Sequence, residues 1–177
     1  IYDSLTPIIS FDLDGTLVVT KTKGKFAKFP QDWKWFNYKT LTNLKQIKIP
    51  IVIFTNQGGV VATKTSKSYN NFHKRIELIL EELGKRGVDV QNVWIYASPK
   101  KSASYKGDNE AQFDNMRKPN IGMFEEFLKD FGKDKINVQE SLFIGDAAGR
   151  KNDFSNSDLR FAHSCQLKFK TPEDYFV

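Results

Sequence analysis

Ile8-Ile9-Ser10-Phe11-Asp12-Leu13-Asp14-Gly15-Thr16-Leu17 is the stretch from which the fold is read. A short apolar run, of the kind that makes a buried parallel strand, ends in two aspartates one residue apart, then Gly-Thr. Period-two alternation points Asp12 and Asp14 to the same side, and Gly15 lets the chain turn sharply away after them. Two carboxylates side by side at a strand's end repel each other unless a cation or a shared proton intervenes. The bland alternative is an Asx-type turn closing a strand. The sequence on either side argues against it.

Three further apolar runs repeat the pattern. Ile51–Phe54 ends in Thr55-Asn56-Gln57-Gly58-Gly59, where hydroxyl, amide and close backbone approach suit an oxyanion, although ordinary polar turns share the composition. Val93–Ala97 leads into Ser98-Pro99-Lys100-Lys101, and Ser141–Ile144 into Gly145-Asp146-Ala147-Ala148-Gly149-Arg150, where small residues keep a carboxylate approachable. Helical spacing fills the intervals: Tyr38–Ile47, a long amphipathic helix from Ser68 to Lys85, and one opened by Pro119-Asn120 with Phe124, Phe127, Leu128 and Phe131 on its apolar face. A short helix is expected to begin at Asp153-Phe154-Ser155, and 169–177 reads as a terminal packing segment. Val18-Val19-Thr20 before a Lys/Gly turn reads as a hairpin leaning over the first strand's end, with Trp33 and Trp35 packing it down or, as the alternative, stacking on a base. Residues 102–115 are polar, charged and poorly periodic, and read as a loop.

Strand–helix alternation at this spacing implies an α/β domain over 1–177, with a mostly parallel sheet covered by helices on both faces. Ligands of such sheets bind at the strands' carboxyl ends, where Asp12, Asp14, Thr55, Asn56, Lys118 and Asp146 all fall. Lys118 precedes a helix start, a place that also welcomes an anion, though a solvated lysine is the commoner reading of such a residue alone. No run approaches the ~20 apolar residues of a membrane-spanning helix. The lone Cys165 excludes an internal disulfide and points to a reducing compartment. A net charge of +6 fits a polyanionic partner or a merely solubilising surface. Lys64-Thr65 ends no nucleotide P-loop, because Thr63 stands where glycine is required. His73 falls off its helix's apolar stripe and reads as a surface residue.

The chemistry these groups suit is phosphoryl transfer. Asp12 can attack phosphorus, and Asp14 can protonate the leaving alkoxide and then activate water. Mg²⁺ held by Asp12 and Asp146 would shield nucleophile from phosphate, while Thr55 and Lys118 hold the phosphoryl oxygens.

The order Asp-x-Asp-Gly-Thr, Thr-Asn, Lys, Gly-Asp resembles the haloacid dehalogenase phosphatase superfamily, whose Rossmann-like fold is then expected. FDLDGTL (11–17), IVIFTNQGGV (51–60), RKPNIGM (117–123), GDAAGRKNDFSNSDLRFA (145–162) and FKTPEDYF (169–176) resemble more narrowly the 3′-phosphatase region of polynucleotide kinase 3′-phosphatases. The resemblance covers nearly the whole chain. It implies nucleophile Asp12, acid/base Asp14, phosphate ligands Thr55 and Lys118, and metal ligands Asp12, Asp146 and the backbone carbonyl of Asp14, with Asp153 in support. Mg²⁺ is the implied cofactor and a DNA 3′-phosphate end the implied substrate, in nuclear DNA repair; a monomer is the default expectation, and repair scaffold proteins are candidate partners. No kinase activity is expected, since no P-loop is present.

Spacing bears on substrate size independently. Only 41 positions separate Asp14 from Thr55, and 63 separate Thr55 from Lys118. Hairpin, helices and strands consume both intervals, which leaves no room for a large cap domain. An uncapped site suits a phosphate on the end of something large. Lys21, Lys23, Lys64, Lys100, Lys101, Arg117 and Arg150 are then candidate contacts to the strand's phosphates. Two rivals are an uncapped phosphatase acting on a small sugar or nucleotide phosphate or a phosphoprotein, and a non-catalytic DNA-end-binding module. The second is disfavoured because an acidic centre repels DNA unless chemistry requires it.

Overall fold

The computed structural model describes residues 5–101, 107 and 110–177. In chain order its strands and α-helices are β1 (Ile9–Phe11), β2 (Val18–Val19), β3 (Lys34–Trp35), α1 (Thr40–Gln46), β4 (Ile51–Gln57), α2 (Lys67–Lys85), β5 (Val93–Pro99), α3 (Glu110–Met116), α4 (Gly122–Phe131), β6 (Leu142–Ile144), α5 (Ser157–Cys165), β7 (Lys168–Lys170) and α6 (Pro172–Tyr175). Five strands form one parallel sheet in the order β5-β4-β1-β6-β7. From β1 the chain builds outward through β4 and β5, then returns to the other side of β1 as β6. That reversal is the switch point at which open α/β sheets hold their ligands. Asp12 lies there, its amide donating to the Ile144 carbonyl at 2.9 Å.

Alternation along the strands feeds two cores. Ile51 and Ile53 of β4 pack with Phe11, Ile144, Leu44 of α1, and Ile79 and Leu83 of α2. Val52 and Phe54 turn the other way, to Phe124 and Phe127 of α4, Phe143, and Phe161 of α5. Strands buried on both faces are why these runs are apolar throughout. Each buried phenylalanine contributes on the order of 2–3 kcal/mol of transfer free energy, so the two clusters fix the sheet and hence its carboxyl edge.

Several elements differ from the sequence expectations. β4 runs on through Thr55, Asn56 and Gln57, because each pairs with a residue of β5 out to Pro99. The stretch expected as a loop contains α3, whose Met116 packs on the second core; residues 102–106 and 108–109 lie outside the described part. The helix expected from Asp153 begins instead at Ser157, since the Asp153 carboxylate accepts from the amides of Ala148 and Arg150 and closes a loop. The terminal segment supplies a fifth strand and a short helix. Lys168-Phe169-Lys170 alternates polar and apolar, and its lysines suit a sheet edge.

The hairpin is present, with Val18 opposite Trp35 and Val19 opposite Lys34, but a long loop over 20–33 joins its strands in place of a tight turn. Trp33 and Trp35 do pack it onto the core, edge to face at 5.1 Å. The loop is organised by Asp32, fully buried, which accepts from the Thr22 amide (3.0 Å), the Thr22 hydroxyl (2.7 Å) and the Lys28 amide (3.0 Å). Burial opposes the charge, but the amides of Lys28, Thr22 and Lys21 and the Thr22 hydroxyl outweigh it and hold the carboxyl down at about 2. An acid depressed by folding stabilises the fold above its ordinary pKa and loses that contribution as pH falls toward the depressed value. Asp32→Asn is therefore expected to lower the melting temperature near neutrality. Its deficit should narrow as pH is lowered from about 4 toward 2. A deficit independent of pH in that range would assign the effect to shape, not charge.

Candidate active site

Most groups in the site descend from a strand end or the loop after it. Asp12 and Asp14 follow β1, Thr55, Asn56 and Gln57 end β4, and Asp146 follows β6. Lys118 precedes α4 and is 4% exposed, a buried lysine and not the solvated one its sequence context also allowed. Its ammonium donates to Asp12 Oδ1 at 3.0 Å and to Asp158 Oδ1 at 2.7 Å, with the Phe143 ring 5.3 Å away. Its peptide is clamped by Asn56, whose Oδ1 accepts from the Lys118 amide (2.9 Å) and whose Nδ2 donates to the Lys118 carbonyl (3.1 Å). Asn56 thus aims the lysine, committing its Oδ1 and one of its two Nδ2 hydrogens to that task.

Asp12, Asp146 and Asp158 bring carboxylate oxygens within 4.8 Å of one another. Close approach is possible because glycines face them. A Cβ on Gly15, whose φ is +83°, would lie 2.4 Å from Asp146 Oδ2, and one on Gly145 would lie 2.5 Å from the Asp158 Cβ. Thr16 stitches the second loop to the first: its hydroxyl donates to Asp146 Oδ1 (3.2 Å) and accepts from the Asp146 amide (3.1 Å). Asp158 spends both oxygens within the protein, on Lys118 and on the Ala147 amide at 3.0 Å. Asp12 and Asp146 are therefore the carboxylates left to face a ligand.

Electrostatics follow from burial. The Asp12 carboxyl is pushed well above the ordinary carboxylate range by burial and then by Asp158, with Lys118 pulling against both and Asp146 adding to the rise. Burial also raises Asp146, against the Asp12 hydrogen bond, while Asp158 adds to it. For Lys118, burial disfavours the ammonium, but Asp12 and Asp158 overcome it and hold the pKa above the usual lysine value. An all-oxygen donor set with acidic charge in excess of Lys118 fits a hard divalent cation such as Mg²⁺.

Asp14 stands apart from this cluster. Its carboxylate accepts from Arg75 Nη1 and Nη2 and from Gln57 Nε2 at 2.9 Å; the same Gln57 donor also meets Thr55 Oγ1 at 3.0 Å. Neither Arg75 nor Asp158 stood out in the sequence. Arg75 carried a signal, being three residues after Phe72 and four before Ile79, squarely on the apolar stripe of α2. Asp158 carried none that is local, since its partner is Lys118.

The basic candidates divide. Lys21, Lys23, Lys64, Lys100 and Arg117 are exposed, and Arg117 lies over Gly58, where a Cβ would sit 3.0 Å from its Nη1. Lys101 is ion-paired with Glu110. Arg150 is committed: it donates to Asp153 (2.8 Å), Glu173 (2.8 Å) and the Asp146 carbonyl (3.1 Å), and braces the Asp146 loop. Lys25 of the hairpin loop sits 4.2 Å from the ring of the exposed Phe154.

Comparison with known proteins places this arrangement among relatives. A family model described as polynucleotide kinase 3 phosphatase matches residues 7–176. A polynucleotide 3′-phosphatase of Saccharomyces mikatae is 35% identical over 98% of this chain and 86% of its own length. A bifunctional polynucleotide phosphatase/kinase of Schizosaccharomyces pombe is 36% identical over 96% of this chain, which spans 37% of that protein. Among solved structures, D,D-heptose 1,7-bisphosphate phosphatase from B. bronchiseptica, complexed with magnesium and phosphate, superposes with a TM-score of 0.65. At 18% identity over 92% of this chain and 78% of that one, it speaks for the fold alone.

Proposed function

Because the chain belongs to the polynucleotide kinase 3 phosphatase family, we propose that it hydrolyses 3′-phosphates at DNA strand ends to 3′-hydroxyls. The observation that carries the reading is the buried Asp12–Lys118 contact at 3.0 Å, with Asp146 and Asp158 beside it, on a carboxyl edge that, among the described residues, no large cap covers. Site residues are assigned from it: Asp12 as nucleophile, Asp14 as acid/base, Thr55 and Lys118 as phosphate ligands. Mg²⁺ is the proposed cofactor, on the Asp12 and Asp146 carboxylates and the Asp14 backbone carbonyl. When bound, it supplies Lewis-acid neutralisation of phosphate and nucleophile charge.

An Asp12 oxygen attacks phosphorus as the bond from phosphorus to O3′ breaks, and the departing O3′ takes a proton from Asp14. Water then attacks the aspartyl-phosphate, giving its proton to Asp14, and the bond from phosphorus to Asp12 breaks to release inorganic phosphate. Lys118 swings no distance to help. Its ammonium already touches Asp12 and so lies where charge moves during transfer. The exposed Lys21, Lys23, Lys64, Lys100 and Arg117 are the proposed phosphate-backbone contacts, whereas Arg150 is assigned to bracing the Asp146 loop. Nuclear location, a monomeric state and recruitment by repair scaffolds belong to the same reading.

The test is phosphate release from a 3′-phosphorylated DNA oligonucleotide with and without Mg²⁺, beside a 5′-phosphorylated oligonucleotide, a 3′-phosphorylated RNA and a 3′-mononucleotide. Mg²⁺-dependent release from the DNA 3′ end that weakens steeply with salt is expected. Equal turnover of the mononucleotide would keep the chemistry and overturn the polynucleotide substrate.

A further inference from the structure

Arg75 is an expensive residue to find where it is. It is 6% exposed on the apolar face of α2, a position that leucine or isoleucine would fill without desolvating a charge. It forms one ion pair among the described residues, to Asp14, and that pair is bidentate: Nη1 to Oδ1 and Nη2 to Oδ2. The Phe72 ring lies 5.6 Å from its guanidinium carbon and limits where the group can sit. Gln57 adds a third donor, to Oδ2.

A carboxylate offers about four acceptor sites, two on each oxygen. Arg75 and Gln57 occupy both sites of Oδ2 and one of Oδ1. One lone pair of Oδ1 remains. The planar fork also fixes the plane of the carboxylate, which a single point charge would leave free to rotate.

We propose that Arg75, assisted by Gln57, is a positioning residue that locks the Asp14 carboxylate so that one Oδ1 lone pair handles the proton in both halves of the reaction. This rests on the reading of Asp14 as acid/base. In the first half the O–H bond on Asp14 Oδ1 breaks as the O3′–H bond forms. In the second half Oδ1 takes the proton that the attacking water loses. Arg75 touches neither substrate nor the reacting atoms and acts only through Asp14.

The experiment compares wild type, Arg75→Ala, Arg75→Lys and Asp12→Asn on a 3′-phosphorylated DNA oligonucleotide, measuring kcat at saturation and, separately, the dissociation constant by anisotropy in metal-free buffer. Misplacing a reacting group by about 1 Å costs on the order of 10²-fold, so Arg75→Ala is expected to lower kcat by roughly 10- to 100-fold. Its dissociation constant should stay within about twofold of wild type. Arg75→Lys keeps the charge but loses the fork, so its kcat should fall between the two. Wild-type kcat in Arg75→Ala would overturn the proposal. So would a weakened dissociation constant with kcat intact, which would make Arg75 a substrate contact, or a loss that Arg75→Lys does not relieve at all, which would mark a packing role. Should Arg75→Ala fail to fold, Arg75→Lys decides: wild-type kcat there overturns the fork. Failure of the functional reading looks different, because wild type itself would then release no phosphate, or Asp12→Asn would release as much.

Discussion

Asp12→Asn is expected to remove phosphate release by at least ~10⁴-fold, because the amide can neither attack phosphorus nor be regenerated from an acyl phosphate. The same substitution should make the metal-free protein more stable. Folding carries Asp12 into a buried site beside Asp146 and Asp158, and the Lys118 ammonium pairs with Asp12 and Asp158. Burial and Asp158 hold the Asp12 carboxyl well above its ordinary value despite Lys118. An acid whose pKa is raised by folding binds its proton more tightly in the native state. Stability therefore falls as pH climbs from the unfolded value toward the raised one. In EDTA, wild type is expected to lose melting temperature as pH climbs above the ordinary carboxylate range, and Asp12→Asn to show a flatter profile. Near neutrality the variant should gain about 1–2 kcal/mol, of the order seen when strained active sites are relaxed. Mg²⁺ should raise the melting temperature of wild type more than that of Asp12→Asn, since a ligand stabilises only the state that binds it. A variant that is inactive but no more stable would mean that Lys118 already balances the cluster. A variant that keeps turnover would remove Asp12 from the chemistry altogether.

What the sequence revealed of this site, and what it hid, divides along a physical line. Asp12, Asp14, Thr55 and Asp146 were legible because each follows a run of buried strand residues, and the topology of a parallel sheet carries strand ends to one edge. Both cores were legible for the same reason, as in the alternation of Ile51 and Ile53 against Val52 and Phe54. Asp158 was hidden. Its partners, Lys118 and the Ala147 amide, are brought to it by the packing of α5 against β6, and no local pattern announces that contact. Asp32 was hidden likewise, since a carboxylate that collects loop amides has no periodicity. For Asn56 the sequence suggested an anion, and packing supplied a partner it did not announce, the peptide of Lys118. Arg75 is the instructive case. An arginine on an apolar stripe is a local contradiction, and such contradictions tend to mark functional positions.

Lys118→Met is the second substitution with a large expected effect, and it separates two roles that Lys118 combines. Methionine matches the length of the aliphatic stem but leaves Asp12 and Asp158 facing each other without their shared cation. Removing one member of a buried charge cluster costs about 3–5 kcal/mol, mostly from the charges left behind. The melting temperature of Lys118→Met should fall accordingly. Turnover should fall by roughly 10²–10³-fold, the scale of losing a donor aimed at developing charge. The two losses are distinguishable by a second substitution. If the stability cost is the unpaired Asp12 carboxylate, adding Asp12→Asn to Lys118→Met should recover more melting temperature than Asp12→Asn gains in the wild-type background, while leaving activity absent. The paired changes would then be strongly non-additive, as expected for groups in contact. Additive changes in stability would show that Lys118 supports the fold chiefly through Asp158 of α5, and that its contact with Asp12 serves the reaction alone.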